Sequence, residues 1–237
     1  RSAQRAAEGY LMMLRDHTLG GDVAAYDDVV RRASVRLDGM RKLIVDLLDL
    51  TRIESGQKRR ELAEFDLREA AQTALETAAP AALARGIALN LNAPGPVVLS
   101  ADRGELELIF NNLVSNAVKY NRDRGRVDVD LTDGPSEVTI RVADTGIGMT
   151  PEEAGRLFGE FVRIKNDKTR RIDGSGLGLS IVKKLVLLYG GRVTVESEPD
   201  VGTAFGVVLP RTAAPASAPG DGAGPAGGEA PAGAAGR

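Results

Sequence analysis

The chain has 237 residues, of which 43% are hydrophobic and 27% charged, the composition of a folded protein of one or two domains. Its net charge of −2 excludes a strongly basic surface that would attract nucleic acid. The chain has no cysteine, which excludes disulfides, and only one histidine, His17, which excludes a multi-histidine metal site. The most apolar run, 43–50, is interrupted by Asp46 and Asp49 and is too short to span a membrane, so we predict a chain without membrane contact. The absence of cysteine agrees with a reducing compartment, and we predict a cytoplasmic chain.

The N-terminal part predicts two helices. Small and apolar residues at three- and four-residue spacing predict a helix over 1–16, and after a Gly-Gly break a second helix is predicted over 24–55. The second helix has an apolar face too broad for one partner helix, so we predict that the hairpin dimerises into a four-helix bundle. A monomeric hairpin packed on the following domain is the alternative. Because the sequence starts directly in helical pattern at Arg1, we expect a piece of a longer protein, with any membrane anchor upstream.

Beyond a polar linker at 55–60, the pattern predicts an α+β arrangement. In chain order we predict a helix at 67–83, strands at 87–91 and 97–99, a helix at 103–120, a strand hairpin at 126–131 and 137–143, a short helix opened by Thr150, a helix ending near Gly190, and a last hairpin at 192–196 and 203–209. Strands grouped in hairpins and interleaved with helices predict a two-layer α/β sandwich with a mixed sheet. The predicted units are 1–57, 58–211 and a disordered tail at 212–237, which is almost wholly Ala, Gly, Pro and Ser.

A glycine-rich turn at 173–180 precedes the last apolar helix. Its glycines Gly174, Gly176 and Gly178 can bring backbone N–H groups close to an anion, and the helix N-terminus behind them adds a partial positive charge. The turn is therefore a candidate phosphate-binding segment. For this segment alone, a plain turn is the alternative.

The helix at 103–120 carries a second candidate segment. Asn112 and Asn116 lie one helical turn apart and share a face, with Lys119 beside them. An amide carbonyl suits Mg²⁺, and an ammonium group suits a phosphate. Solvated helix asparagines are the alternative, but asparagine is a mediocre helix former, and two beside an apolar face call for an explanation.

A third segment follows the strand that ends at Asp144. Its carboxylate can accept a hydrogen bond from an exocyclic amine such as that of adenine, and Gly146 and Gly148 would let the backbone pass against a planar ring. A simple turn led by an aspartate is the alternative.

The fourth segment, 157–173, is predicted to be a mobile lid. Phe158 and Phe161 would anchor it, and it would carry Arg163 and Lys165 towards phosphates.

In this order and spacing, the four segments resemble the N, G1, F and G2 boxes of the ATP-binding domain of sensor histidine kinases, which has the GHKL or Bergerat fold. Residues 202–205 are similar to the short box that closes that domain, and the hairpin, ending at 46–56, resembles the second half of the family's dimerisation and phosphotransfer domain. The resemblance implies an enzyme that transfers the γ-phosphoryl of ATP to a histidine and then to an aspartate of a response-regulator receiver domain. ATP and Mg²⁺ are the implied cofactors.

The resemblance also implies roles for single residues. It implies Asn116 as the Mg²⁺ ligand, Asp144 on the adenine amine and Arg163 on the terminal phosphate. Asn112, Lys119 and Arg163 are the implied catalytic residues. The implied ATP site comprises Asn112, Asn116, Lys119, Tyr120, Asp144, Gly146, Gly148, Phe161, Arg163, Lys165, Gly174, Gly176, Leu177, Gly178, Leu179 and Thr203. In ATPases of the gyrase and HSP90 type, the position of Asn112 is a glutamate that activates water, so an amide there argues for transfer to a side chain rather than hydrolysis.

The family's phosphoacceptor histidine is missing from this chain. When the family motif His-Glu-Leu-Arg-Thr-Pro-Leu is aligned, Arg1 and Ser2 match its Arg and Thr, and the histidine falls three positions before Arg1. Ala3 and Gln4 stand where Pro and Leu are usual. We therefore predict that the chain cannot autophosphorylate, and we do not expect His17 to be an acceptor. A non-catalytic, dimeric nucleotide-binding module and a gyrase-type ATP hydrolase remain as other hypotheses.

Overall fold

The structure is a computed structural model that describes residues 2–16, 18, 20, 26–55, 60–164, 166, 169, 170, 172 and 174–211. Its elements in chain order are α1 (Ser2–Arg15), α2 (Asp27–Ser55), β1 (Leu62–Asp66), α3 (Leu67–Leu83), β2 (Ala88–Asn92), β3 (Val98–Asp102), α4 (Arg103–Lys119), β4 (Arg126–Asp133), β5 (Glu137–Asp144), α5 (Pro151–Ala154), α6 (Gly178–Leu188), β6 (Arg192–Glu198) and β7 (Gly202–Pro210). The predicted α+β class is confirmed. His17 and the predicted tail lie outside the described residues.

The α1–α2 hairpin leaves much of its apolar surface exposed. The exposed apolar side chains are Leu11, Met12, Met13, Val30, Val35, Leu37, Leu43, Ile44, Val45, Leu47 and Leu48. The C-terminal end of α2 behaves differently, because Leu50 is buried in the main core and Ile53 packs against it. Packing against the main core thus buries one end of α2 and leaves the wide apolar face exposed. No helix in the described part of the chain is long and apolar enough to cross a membrane.

The main sheet has five strands in the order β2-β4-β5-β7-β6. The β2–β4 pair is parallel and the other pairs are antiparallel, so the sheet is mixed, as predicted. Helices α3, α4 and α6 pack on one face, where buried residues of β4 and β5 alternate with more exposed ones along each strand. On the other face, Asn90 and Asn92 donate hydrogen bonds to Asp128 and Asp130 across the parallel pair. The result is a two-layer sandwich with a polar outer face.

Strand β1 was missing from the sequence-based prediction. It pairs antiparallel with β3 in a separate two-stranded sheet. Its first three residues, 62–64, are exposed and show no alternation that would reveal a strand. The same pairing extends β3 to Asp102, beyond the predicted 97–99.

Arg60 connects the start of β1 to the helices that carry the candidate site. Its Nε lies 2.9 Å from Glu105 Oε2 on α4, and its guanidinium lies 4.1 Å from the centroid of the Tyr189 ring after α6. The Tyr189 hydroxyl donates to Glu105 Oε2 at 2.7 Å and accepts from the Asp102 N–H at 2.9 Å. Burial, together with the Glu105 carboxylate, raises the pKa of Tyr189. This buried network joins α4, α6 and the entry to β1.

Tyr189→Phe is expected to lower the free energy of unfolding by about 1–3 kcal/mol. The substitution keeps the ring but leaves the buried Asp102 N–H without its acceptor and removes a donor from Glu105. Urea unfolding followed by circular dichroism measures the change. An unchanged midpoint would show that the hydroxyl does not contribute.

Candidate nucleotide-binding site

A cavity of about 840 Å³ lies between α4, the end of β5, the lid segment and the glycine-rich turn. This volume falls in the range of small-molecule sites. The predicted site residues that line it are Asn112, Asn116, Lys119, Tyr120, Asp144, Gly148, Phe161, Arg163, Gly174, Gly176, Gly178, Leu179 and Thr203. Gly146 lies beside Asp144 next to the cavity, the Leu177 side chain is buried in the core, and Lys165 lies outside the described residues. The structure thus brings nearly all described candidates together.

Asp144 places a partly buried carboxylate in the cavity wall. Burial raises its pKa to about 6, and hydrogen bonds from the backbone N–H groups of Gly146 and Thr203 oppose the rise. The Gly146 N–H lies 2.8 Å from Asp144 Oδ1. These bonds fix the carboxylate at the end of the strand. Above about pH 6 it is ionised, and it can accept a hydrogen bond from the N–H of an amine.

Gly146 and Gly148 are required by close packing within the protein. A Cβ at Gly146 would overlap the carbonyl oxygen of Tyr120, and one at Gly148, whose φ is +59°, would overlap the carbonyl oxygen of Glu198. The sequence predicts that these glycines let the backbone pass against a planar ring. The structure adds a second reason, because Gly146 brings the turn after Asp144 against the C-terminus of α4 and Gly148 brings it against the end of β6.

Asn112 and Asn116 lie on the cavity side of α4 in different environments. Asn112 is 6% exposed, and its Nδ2 donates to the Leu108 carbonyl at 2.8 Å, so it is not a solvated surface residue. Its Oδ1 lies against Gly178, where a Cβ would overlap it. Asn116 is half-buried, and its side-chain amide has no hydrogen-bond partner among the residues that the structure describes. An available amide oxygen in a cavity fits an Mg²⁺ ion that keeps most of its waters.

Lys119 and Tyr120 complete the α4 side of the cavity. The Lys119 Nζ lies 5.2 Å from the centroid of the Tyr120 ring, and it would lie 2.6 Å from a Cβ at Gly174. The ammonium group therefore faces the glycine-rich turn. Burial raises the pKa of Tyr120, and the charge of Arg163 opposes that rise.

The lid segment is anchored by one phenylalanine rather than two. Phe158 packs edge-on against Phe205 with ring centroids 6.3 Å apart, whereas Phe161 is 59% exposed, so the predicted anchoring by Phe161 is wrong. Phe161 instead lines the cavity with a φ of +57°, a strained value for this residue. Arg163 also lines the cavity, and one of its guanidinium nitrogens, Nη2, donates to the Ile172 carbonyl at 2.6 Å.

Sequence reasoning missed Arg85, which holds the C-terminus of α4. Its guanidinium donates to the carbonyl oxygens of Val118 at 2.8 Å and Asn121 at 2.6 Å, and its Nε pairs with Asp123 at 2.9 Å. A cation at a helix C-terminus also offsets the partial negative charge there. These carbonyls flank Lys119 and Tyr120, so Arg85 positions that side of the cavity without lining it. Its partners lie more than thirty residues further along the chain, and no local sequence pattern predicts these contacts.

Arg85→Ala is expected to lower the free energy of unfolding by about 1–3 kcal/mol and to weaken nucleotide binding several-fold. The substitution leaves carbonyl groups at the end of α4 without their donor and loosens the support of Lys119 and Tyr120. Urea unfolding and calorimetric titration with Mg-ATP measure the two effects. Arg68→Ala is a matched control, because Arg68 pairs with Asp66 at the start of α3 and does not line the cavity. Full nucleotide affinity in Arg85→Ala would contradict the positioning role.

In the described ranges, no cluster of three or more His, Cys, Asp or Glu side chains could hold a metal ion. A divalent ion in this cavity could take the Asn116 amide oxygen, water and a bound phosphate group as ligands.

Residues 101–213 match the family of histidine kinase-, DNA gyrase B- and HSP90-like ATPases. The chain belongs to this family. Its relatives narrow the class: the sensor histidine kinase RcsC of Escherichia coli is 34% identical over 171 residues, which cover 71% of this chain and 18% of RcsC. The chain thus spans about a fifth of the length of this curated relative. The resemblance to sensor histidine kinases is confirmed.

A solved structure agrees with this assignment, and a second one shares the fold. The mycobacterial sensor histidine kinase MprB is 30% identical, with a TM-score of 0.55 over 63% of this chain and 97% of that one. Histidine kinase ThkA, in complex with the response regulator protein TrrA, has the same fold with a TM-score of 0.71, over 90% of this chain and 58% of that one, at 21% identity.

Proposed function

We propose that this chain is the ATP-binding catalytic portion of a two-component sensor histidine kinase. It would bind Mg-ATP and donate the γ-phosphoryl to a histidine on a segment that the chain lacks, from which the group would pass to an aspartate of a response-regulator receiver domain. The observation that carries the proposal is the convergence of Asp144, Asn116, Lys119 and the glycine-rich turn around one cavity of nucleotide size.

Each of these groups suits one part of the nucleotide. The Asp144 carboxylate would accept a hydrogen bond from the adenine amine, and Lys119 would offset phosphate charge beside Gly174. Asn116 would contribute its amide oxygen to Mg²⁺, which when bound neutralises charge that develops on the phosphates during transfer. Arg163, which lines the same cavity, would add a second cation.

Transfer is favoured over hydrolysis by the environment of Asn112. Hydrolysis needs a base that takes a proton from water, and a carboxylate is the usual group. Asn112 cannot take that proton, because a neutral amide is not a base near neutral pH; its Nδ2 donates to the Leu108 carbonyl. The histidine acceptor would bring its own nucleophilic nitrogen.

We further propose that residues 1–57 form half of a dimeric four-helix bundle and that 58–211 form the catalytic domain. The unburied apolar face of α1 and α2 supports dimerisation, since a second copy would remove it from water. The complex formed by ThkA supports a response regulator as the downstream partner. ATP as donor favours action in the cytoplasm.

Calorimetry and labelled ATP test this proposal together. We expect one Mg-ATP bound per chain, no sustained release of free phosphate and no label on the chain from γ-labelled ATP. Steady phosphate release abolished by Asn112→Ala would instead indicate a hydrolase, and label on His17 would overturn the prediction that the acceptor is missing.

A further inference from the structure

The hairpin helix α2 reaches the glycine-rich turn through a buried carboxylate. Asp46 is 3% exposed, although its neighbours on α2 are largely exposed. The Ser175 hydroxyl donates to Asp46 Oδ2 at 2.5 Å and accepts the N–H of Leu177 at 3.2 Å. A negative charge is therefore held against the residue between Gly174 and Gly176.

The charge of Asp46 is weakly compensated on its own helix. Lys42 Nζ lies 3.8 Å from Asp46 Oδ1, and the Lys42 side chain is 58% exposed. At this distance and exposure an ion pair is screened by water and contributes little. The field of the carboxylate thus extends to the turn.

A second tie links α2 to α6 and to the lid. Lys184 on α6 pairs with Glu54 near the end of α2 and, at 2.6 Å, with Glu160 in the lid segment. Residues of α2, among them Val35, Gly39 and Leu43, line the same cavity as Asn116 and Asp144. In this arrangement α2 forms one wall of the nucleotide site.

We propose that Asp46 is a determinant of nucleotide affinity that the hairpin supplies: its carboxylate, held on Ser175, opposes the binding of a polyphosphate at the glycine-rich turn. The proposal rests on the proposed ATP site. Backbone N–H groups at a helix N-terminus favour an anion, and a carboxylate fixed at that turn repels a second one. By linkage, bound ATP weakens the α2 contact by the same factor by which the contact weakens ATP binding.

Asp46→Asn separates charge from shape. The amide oxygen can still accept the Ser175 hydroxyl, while the negative charge is lost. We expect Mg-ATP to bind Asp46→Asn roughly three- to tenfold more tightly than the unchanged chain at low salt, and the gain to shrink as salt is added. Adenosine has no phosphate, so its affinity, measured by competition, should stay the same. Equal tightening of adenosine and ATP would indicate a change of shape and contradict the proposal.

Two more variants complete the test. Asp27→Asn removes the same charge from the exposed first turn of α2 and should leave Mg-ATP affinity unchanged. Glu54→Gln, an exposed change that weakens the tie to Lys184, should tighten Mg-ATP binding in the same direction as Asp46→Asn. If the unchanged chain binds Mg-ATP but Asp46→Asn and Glu54→Gln both bind it equally or more weakly than the unchanged chain does, the proposed role of Asp46 is wrong and the proposed function stands. If no form binds Mg-ATP, the proposed function fails and this inference fails with it.

Discussion

Asp144→Asn is expected to abolish measurable nucleotide binding and, at pH 7, to make the free protein more stable. The Asp144 carboxylate would accept a hydrogen bond from the adenine amine. The side-chain amide of an asparagine in the same place can turn its own NH₂ group towards that amine, so that two donors face each other. Loss of a buried charge-assisted hydrogen bond, with repulsion in its place, predicts a fall in affinity of at least about 100-fold.

The gain in stability follows from the raised pKa of Asp144. Burial raises this pKa from 3.8 in the unfolded chain to about 6 in the folded one. The folded state therefore prefers the neutral carboxyl, and stability is lost as pH rises from the unfolded value through about 6. Because the carboxylate is only partly buried, the cost at pH 7 is at most about 3 kcal/mol. An asparagine at this position has no charge, so the variant does not have this cost in folding free energy.

The same titration makes nucleotide affinity depend on pH. Below about pH 6 the carboxyl is protonated and loses the negative charge that strengthens its hydrogen bond from the adenine amine, so the affinity of the unchanged chain for ATP should fall towards acid, with a midpoint near 6. Thermal unfolding and ATP titration between pH 5 and 8 measure both trends. Asp16→Asn, an exposed change on the hairpin, should show neither. Lower stability in Asp144→Asn at pH 7 would contradict this account of the site.

Asn116→Ala is expected to slow phosphoryl transfer by at least about 100-fold while sparing the binding of ATP without metal. Its amide oxygen would be a ligand for Mg²⁺ on α4, and without it the ion would lose that contact. Transfer from γ-labelled ATP to a histidine-bearing partner chain measures the rate, and titrations with and without Mg²⁺ separate metal from nucleotide. Asn90→Ala, an exposed change on β2, is the control. Unchanged transfer in Asn116→Ala would show that the metal, if required, is held elsewhere.

The elements that sequence predicts best are those whose signal is local. The apolar stripe of α4 predicted its core face, and Leu106, Phe110 and Leu113 are indeed fully buried. Thr150 caps α5 with Glu153 in a capping box, as its position before proline indicated. Both patterns depend on residues that lie within a few positions of each other in the sequence.

Features built from distant partners could not be predicted in this way. Strand β1 exists because it pairs with β3, and its exposed residues 62–64 carry no alternation. Arg85 and Asp46 form hydrogen bonds with groups far away in the sequence, and the residues next to them do not predict those partners. The cavity wall formed by α2 also depends on how the hairpin meets the rest of the fold. In the candidate site, the local motifs were predicted, and the residues that support or oppose them were not.

The most direct test of the central claim restores an acceptor. The chain is extended upstream of Arg1 by a helical segment bearing a histidine at the third position before it, and is incubated with γ-labelled ATP and Mg²⁺. We predict alkali-stable, acid-labile label on that histidine, lost in Asn116→Ala and absent from the unextended chain. A correctly folded, extended chain that binds Mg-ATP and gains no label would contradict the claim that this cavity is a phosphoryl donor site, and would favour a nucleotide-binding module that signals by conformation alone.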